Sequence, residues 1–127
     1  MELIQHPAHC DVILATNMFG DILSDAATGL VGGIGLAPSA VVGDRYASFG
    51  PVHGTAPDIT GQGIANPMAA ILAAAMMLRH LKAEGAAQAI ERAVATVLSE
   101  GRPRTPDLGG NATTAEVARA IAARLAG

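Results

Sequence analysis

Apolar and polar positions in this chain follow two different periods, and the change of period marks its elements. Asp11-Val-Ile-Leu-Ala-Thr16 is a short, partly β-branched apolar run, which predicts a buried strand. Asn17 to Gly20 reads as a turn. Asp21 to about Gly29 reads as a helix with acids in its first turns. Leu30 to Pro38 is glycine-rich and apolar, with Gly32, Gly33 and Gly35 interleaved among Val31, Ile34 and Leu36. Ser39 to Gly43 predicts a second strand, closed by a turn at Gly43-Asp44-Arg45. From Phe49 to Pro67 the pattern is irregular, punctuated by Pro51, Gly54, Pro57, Gly61, Gly63 and Pro67. Val52, Ile59 and Ile64 recur within it, as expected of an ordered functional loop. Helical periodicity then takes over. Asn66-Pro67 supplies an N-cap and a first-position proline for a helix to about Lys82. Ala86 to Ser99 places Ile90, Val94, Val97 and Leu98 on one face. After a Pro/Gly linker from Gly101 to Gly110, Thr113 to Leu125 predicts a last helix, with Thr113 and Glu116 spaced as a capping box.

Composition narrows the class. The 127 residues suit one domain or a piece of one, and 50% hydrophobic with 15% charged residues excludes a disordered chain. One Tyr, two Phe and no Trp leave the core to Ala, Ile, Leu, Val and Met. A net charge of −3 without a basic run, and without aromatic stacking platforms, argues against nucleic-acid binding. The apolar stretch from Met68 to Leu78 is too short to span a bilayer and reads as a buried helix, so no membrane partner is expected. A single cysteine, Cys10, and an N-terminus without a basic and apolar leader fit a cytoplasmic setting.

Two groups of residues could carry chemistry. Asp21 and Asp25 lie four apart and share a helix face, where like charges repel unless a cation sits between them. A hard divalent ion such as Mg²⁺ or Mn²⁺ would satisfy that arrangement. So would a plain acidic first turn complementing the helix dipole, which the spacing alone favours. The second group runs from Pro51 to Pro67. Its glycines permit close approach to a flat or phosphorylated ligand, and it ends at a helix N-terminus suited to anions. Asp58 could accept hydrogen bonds from a ribose diol and repel a 2′-phosphate. An ordered loop without a ligand fits the same residues. No Rossmann fingerprint is present, because Gly33-Ile-Gly35 is followed by Leu36-Ala37-Pro38. His6, His9 and Cys10 make at most three soft ligands and read as surface residues. His80 is expected to cap its helix or meet the helix dipole, and Arg79, Lys82, Arg92, Arg102 and Arg104 to be solvated.

Taken together and in this order, the two groups resemble the β-decarboxylating dehydrogenases, the family of isopropylmalate and isocitrate dehydrogenases. Asn17-Met-Phe-Gly-Asp-Ile-Leu-Ser-Asp25 resembles the family's metal-binding signature. His53-Gly-Thr-Ala-Pro-Asp-Ile59 with Gly61-Gln-Gly-Ile-Ala-Asn-Pro67 resembles its nucleotide loop. Thr105-Pro-Asp-Leu-Gly-Gly110 and Ala112-Thr-Thr114 resemble its C-terminal end. The resemblance implies an α/β fold of the family's own non-Rossmann kind, present here in part. Residues 1–30 would form the end of the smaller, dimer-forming domain, and 31–127 the C-terminal half of the larger nucleotide-binding domain. It implies Asp21 and Asp25 as Mg²⁺ or Mn²⁺ ligands. His53, Gly54, Thr55, Ala56, Pro57, Asp58, Ile59 and Asn66 would contact the adenosine half of the cofactor. Asp58-Ile59 is the pair expected with NAD. The metal would hold a 2-hydroxy-acid substrate and act as a Lewis acid during its decarboxylation. The family's catalytic Lys and Tyr, its substrate arginines and a third metal-binding Asp have no counterparts here, so no catalytic residue is assigned. The isolated chain is expected to be inactive, and to act as a homodimer or paired with an N-terminal half. The loop is nearest to that of the 3-isopropylmalate enzymes, with isocitrate, homoisocitrate and tartrate as other substrates. A non-catalytic nucleotide- or partner-binding module is the alternative.

Overall fold

The computed structural model describes residues 1–125. Its elements are α1 (Glu2–Gln5), α2 (Asn17–Thr28), β1 (Pro38–Val42), β2 (Ala47–Pro51), α3 (Met68–His80), α4 (Glu84–Glu100) and α5 (Thr114–Leu125), with short 3₁₀ turns between them. β1 and β2 pair antiparallel in the register Pro38↔Pro51 to Val42↔Ala47. This hairpin lies on α3. α3 also packs on α4, and α4 packs on α5.

Small residues let these helices approach closely. Ala69, Ala73 and Ala75 of α3 and Ala87 and Ala93 of α4 are buried. Larger side chains fill what remains: Met68, Val94, Val97, Val117 and Ile121 form one cluster with Ala93 and Ala112, edged by Leu36, Ile71, Leu72 and Leu108. Burying a side chain such as Ile121 stabilises the fold by about 1.5–3 kcal/mol. The expected apolar face of α4 is the one used, with Val94 and Val97 inward. Arg79 is exposed, as expected, and is also paired. Its Nη1 and Nη2 donate to Glu91 Oε1 and Oε2, each at 2.8 Å, and its Nε to Glu84 at 3.3 Å, tying the end of α3 to α4. The bond from Arg79 holds the Glu91 carboxyl below the usual glutamate range. His80 lies in the last turn of α3, where it meets the helix dipole, and its ring is tilted against Phe49 with centroids 5.5 Å apart.

Several expectations need correction. Asp11–Thr16 is not a strand and is not buried; Leu14 is 99% exposed. A run of β-formers becomes a strand only against a neighbour that takes its N–H and C=O groups, and the sheet among the described residues contains β1 and β2 alone. Asn17–Gly20 is not a turn but the first turn of α2, closed by Gly20 N–H on Thr16 C=O at 2.8 Å. The irregular segment begins later than Phe49, because pairing with β1 draws Ala47–Pro51 into the hairpin despite Gly50 and Pro51. α3 ends at His80, two residues early, since Lys82 turns into the left-handed region at φ 64°. α4 starts at Glu84 rather than Ala86.

The capping box forms as expected. Thr113 N–H donates to Glu116 Oε2 at 2.8 Å, and Glu116 N–H donates to Thr113 Oγ1 at 3.3 Å. The Thr113 backbone, then its hydroxyl, hold the Glu116 carboxyl below the usual range. A depressed folded-state pKa stabilises above the unfolded value near 4.5 and ceases to do so as pH falls through the folded value. In thermal unfolding, Glu116→Ala should therefore lie below wild type at neutral pH, and the gap should narrow as pH falls from 4.5 through the depressed folded-state value. In the core, Ile121→Ala should cost about 2–5 kcal/mol in denaturant unfolding.

Candidate functional site

The segment after β2 braces itself with local hydrogen bonds. His53 Nδ1–H donates to the Gly54 carbonyl at 2.9 Å, which leaves Nε2 as the free ring nitrogen. Ala56 then takes a left-handed conformation, φ 44°, a position that costs a non-glycine residue about 1–2 kcal/mol. The strain is held by two bonds onto its carbonyl, from Ile59 N–H at 3.1 Å and Thr60 Oγ1 at 3.2 Å, which wind Pro57–Ile59 into a 3₁₀ turn. Gln62 reaches back with Nε2 to the Asp58 carbonyl at 2.8 Å. Gly61 and Gly63, at φ 79° and 67°, make the turns that side chains would resist.

The far end of the loop is pinned from other elements. At the start of α5, Thr114 N–H donates to Gly63 C=O at 2.8 Å and Thr114 Oγ1 to Ala65 C=O at 2.5 Å. Asn66 is buried. Its Oδ1 accepts from Met68 N–H at 3.0 Å, capping α3, and its Nδ2 donates to Asp107 Oδ2 at 3.0 Å. Asn66 does cap the helix through its side chain, but the N-cap position itself falls one residue later than expected, on Pro67, and the helix starts at Met68.

These contacts shape an open cleft of about 400 Å³. Of the residues expected at a nucleotide site, His53, Gly54, Thr55, Ala56, Ile59 and Asn66 line it, together with Thr60, Gly61, Gly63, Ile64 and Ala65 of the same loop. Pro57 and Asp58 do not line it. Asp58 is exposed on the 3₁₀ turn between the lining residues Ala56 and Ile59. Four lining residues come from outside the loop and were not foreseen as site residues: Ile34, Gly35, Pro106 and Asp107. Only the oddity of a glycine among apolar neighbours, and a Pro-Asp pair opening a turn, pointed to them. Apolar walls with a few converging amide, carboxylate and hydroxyl groups suit a flat ring system bearing polar edges. A wider hollow of about 1010 Å³ lies against Gly101–Arg104, Gly109–Ala112 and Glu116. None of the loop residues reaches it, and its Glu116 carboxylate is already engaged by Thr113.

Asp21 and Asp25 stand one turn apart on the exposed face of α2. Because α2 begins at Asn17, neither acid is in its first turn, and the helix-dipole reading loses its basis. Two carboxylates offer hard oxygen donors of the right kind for Mg²⁺ or Mn²⁺, and so fit part of a ligand shell. Among the described residues no third His, Cys, Asp or Glu joins them into a metal-holding group. His6 and His9 stack with centroids 5.2 Å apart on the surface, with His9 against Glu2, and form no such group either.

Residues 1–121 match the isocitrate/isopropylmalate dehydrogenase family model, and the chain belongs to that family. Its particular likenesses are to enzymes of more than one substrate. It is 60% identical over 121 residues to an isocitrate/homoisocitrate dehydrogenase of Thermus thermophilus, covering 95% of this chain and 36% of that protein. It is 58% identical over 125 residues to a 3-isopropylmalate dehydrogenase of Archaeoglobus fulgidus, covering 98% of this chain and 38% of that one. The fold overlays the crystal structure of isocitrate dehydrogenase from Methylococcus capsulatus with a TM-score of 0.93 at 50% identity, covering 98% of this chain and 38% of the other. The chain thus spans less than two fifths of the length of these relatives, and has the isocitrate/isopropylmalate dehydrogenase fold over that C-terminal part.

The Thr114 tie can be tested directly. Thr114→Val should cost about 1 kcal/mol in stability, the worth of one hydrogen bond. Amide hydrogen exchange should quicken at Ile64 to Asn66 while α4 is unaffected.

Proposed function

We propose that this chain carries the NAD loop and two of the metal-holding carboxylates of an oxidative decarboxylase that acts on a 2-hydroxy acid. The observation that carries the reading is the open cavity lined by the His53–Asn66 loop and Asp107, apolar-walled and shaped by self-braced backbone. Its loop glycines admit a ligand closely. His53, Thr55 and Asn66 offer polar atoms to an adenosine moiety, and Ile59 and Ile64 offer apolar contact. Asp58, exposed on the turn between the lining residues Ala56 and Ile59, would accept from a ribose diol and repel a 2′-phosphate, which supports NAD over NADP. Pro57 shapes the turn that presents it.

In this reading residues 1–30 end the smaller domain, and 31–127 form the C-terminal half of the larger one. Asp21 and Asp25 would hold Mg²⁺ or Mn²⁺, a Lewis acid toward substrate oxygen when bound. The exposed apolar side chains Val12, Leu14, Met18, Phe19 and Ile22 on and before α2 support association with a second copy or with an N-terminal half. No residue of this chain is assigned to proton transfer, so turnover by the chain alone is not expected. The loop favours 3-isopropylmalate, and the likenesses to isocitrate and homoisocitrate enzymes keep those acids as substrates of the same class. A cytoplasmic setting accords with this metabolism. A second reading, a nucleotide-binding module without turnover, is favoured by one feature: the loop braces itself, with Ile59 N–H and Thr60 Oγ1 on the Ala56 carbonyl and Gln62 Nε2 on the Asp58 carbonyl.

Calorimetric titration of the full chain with NAD and with NADP tests the site. Saturable NAD binding, weaker NADP binding, and a loss of about tenfold in NAD affinity with a narrowed preference in Asp58→Ala are expected. Equal affinity for both cofactors, unchanged in Asp58→Ala, would sink the NAD assignment.

A further inference from the structure

We infer that Asp107 is a positioning residue for the loop pocket, acting through Asn66, and that Gly35 is the clearance that lets it do so. This rests on the nucleotide reading of the cavity.

The Asn66 carboxamide is held from both ends. Oδ1 accepts from Met68 N–H and Nδ2 donates to Asp107 Oδ2, each at 3.0 Å. Rotating the amide by half a turn would set Nδ2 against the Met68 N–H and Oδ1 against a carboxylate, two repulsive contacts in place of two bonds. The backbone bond alone does not fix the side chain this firmly, because it leaves the amide nitrogen free to follow water or a ligand. With Asp107 in place, the second Nδ2 hydrogen has one direction, set before any ligand arrives. Preset polar groups bind better than those that must be ordered on binding.

Asp107 reaches Asn66 from 41 residues along the chain, and the contact passes very close to Gly35. A Cβ at Gly35 would lie 2.6 Å from Asp107 Oδ2, 3.0 Å from Asn66 Cβ and 3.2 Å from Asn66 Nδ2. No side chain fits there while the pair exists. Gly35 has no positive φ to explain it, unlike Gly32 and Gly33. Its requirement is space, and the space belongs to the Asn66–Asp107 bond. All three residues line the cavity.

Two readouts on the full chain test this: hydrogen-exchange protection of the Asn66 side-chain amide by NMR without ligand, and NAD affinity by calorimetry. Asp107→Ala and Gly35→Ala should each abolish the protection and weaken NAD binding about tenfold. Asp107→Asn keeps an oxygen acceptor and should retain both properties to within about threefold. The double variant Gly35→Ala/Asp107→Ala should lose less than the sum of the two single losses, because the tightest contact of a Gly35 Cβ is with that carboxylate, while its contacts with Asn66 remain. Protection that survives Asp107→Ala overturns the inference. So does protection lost without a change in affinity, an Asp107→Asn chain that behaves like Asp107→Ala, or additive losses in the double variant. A wild-type chain with a protected Asn66 amide that binds no NAD overturns the nucleotide reading, and this inference's functional part with it. The exchange measurement tells that failure apart from a failure of the positioning itself.

Discussion

One carboxamide joins the hydrophobic core to the candidate pocket. Asn66 caps the helix that carries Met68 into the core cluster, and the same side chain bonds Asp107 in the wall of the cavity. A buried amide is costly unless both its ends are bonded. The fold meets that condition by bringing the turn before α5 against the start of α3. The pocket follows: with Asn66 fixed, Ala65 and Gly63 are within reach of Thr114, and the loop from His53 onward has a rigid end to close upon.

The two candidate sites differ in how much of themselves the chain contains. The loop is braced by its own backbone and by α5, and its cavity is lined from Ile34 to Asp107. The carboxylate pair has no such support. Asp21 and Asp25 sit on an exposed helix whose apolar side chains, Met18, Phe19 and Ile22, also face solvent. Helices of this kind are stable mainly through the surface they bury. That contrast matches the share of the family spanned here, 36–38% of the relatives' length. The described core lies on the α3–α4–α5 side, while the first elements carry apolar surface with nothing upon it.

Much of the fold was legible locally. The Asn66 cap, the inward face of α4 and the Thr113–Glu116 capping box depend on residues within a few positions of one another, so spacing carries them. The loop residues were legible too, because glycine and proline constrain their own backbone. The start of α2 was misread because Asn17-Met-Phe-Gly20 contains a glycine and no clear cap, and its backbone bond to Thr16 leaves no side-chain signature.

Residue chemistry and short-range periodicity determined which segments are helical, where the irregular loop lies and which carboxylates stand together on one helix face. Tertiary structure alone decided the rest. The strand potential of Asp11–Thr16 came to nothing because a strand exists only as a pair, whereas Ala47–Pro51 became a strand because β1 lies beside it. Asp107 and Gly35 joined the pocket through a contact spanning 41 residues and a gap the width of one missing methyl group. Neither leaves a local pattern, since what constrains each of them is an atom far away in the chain.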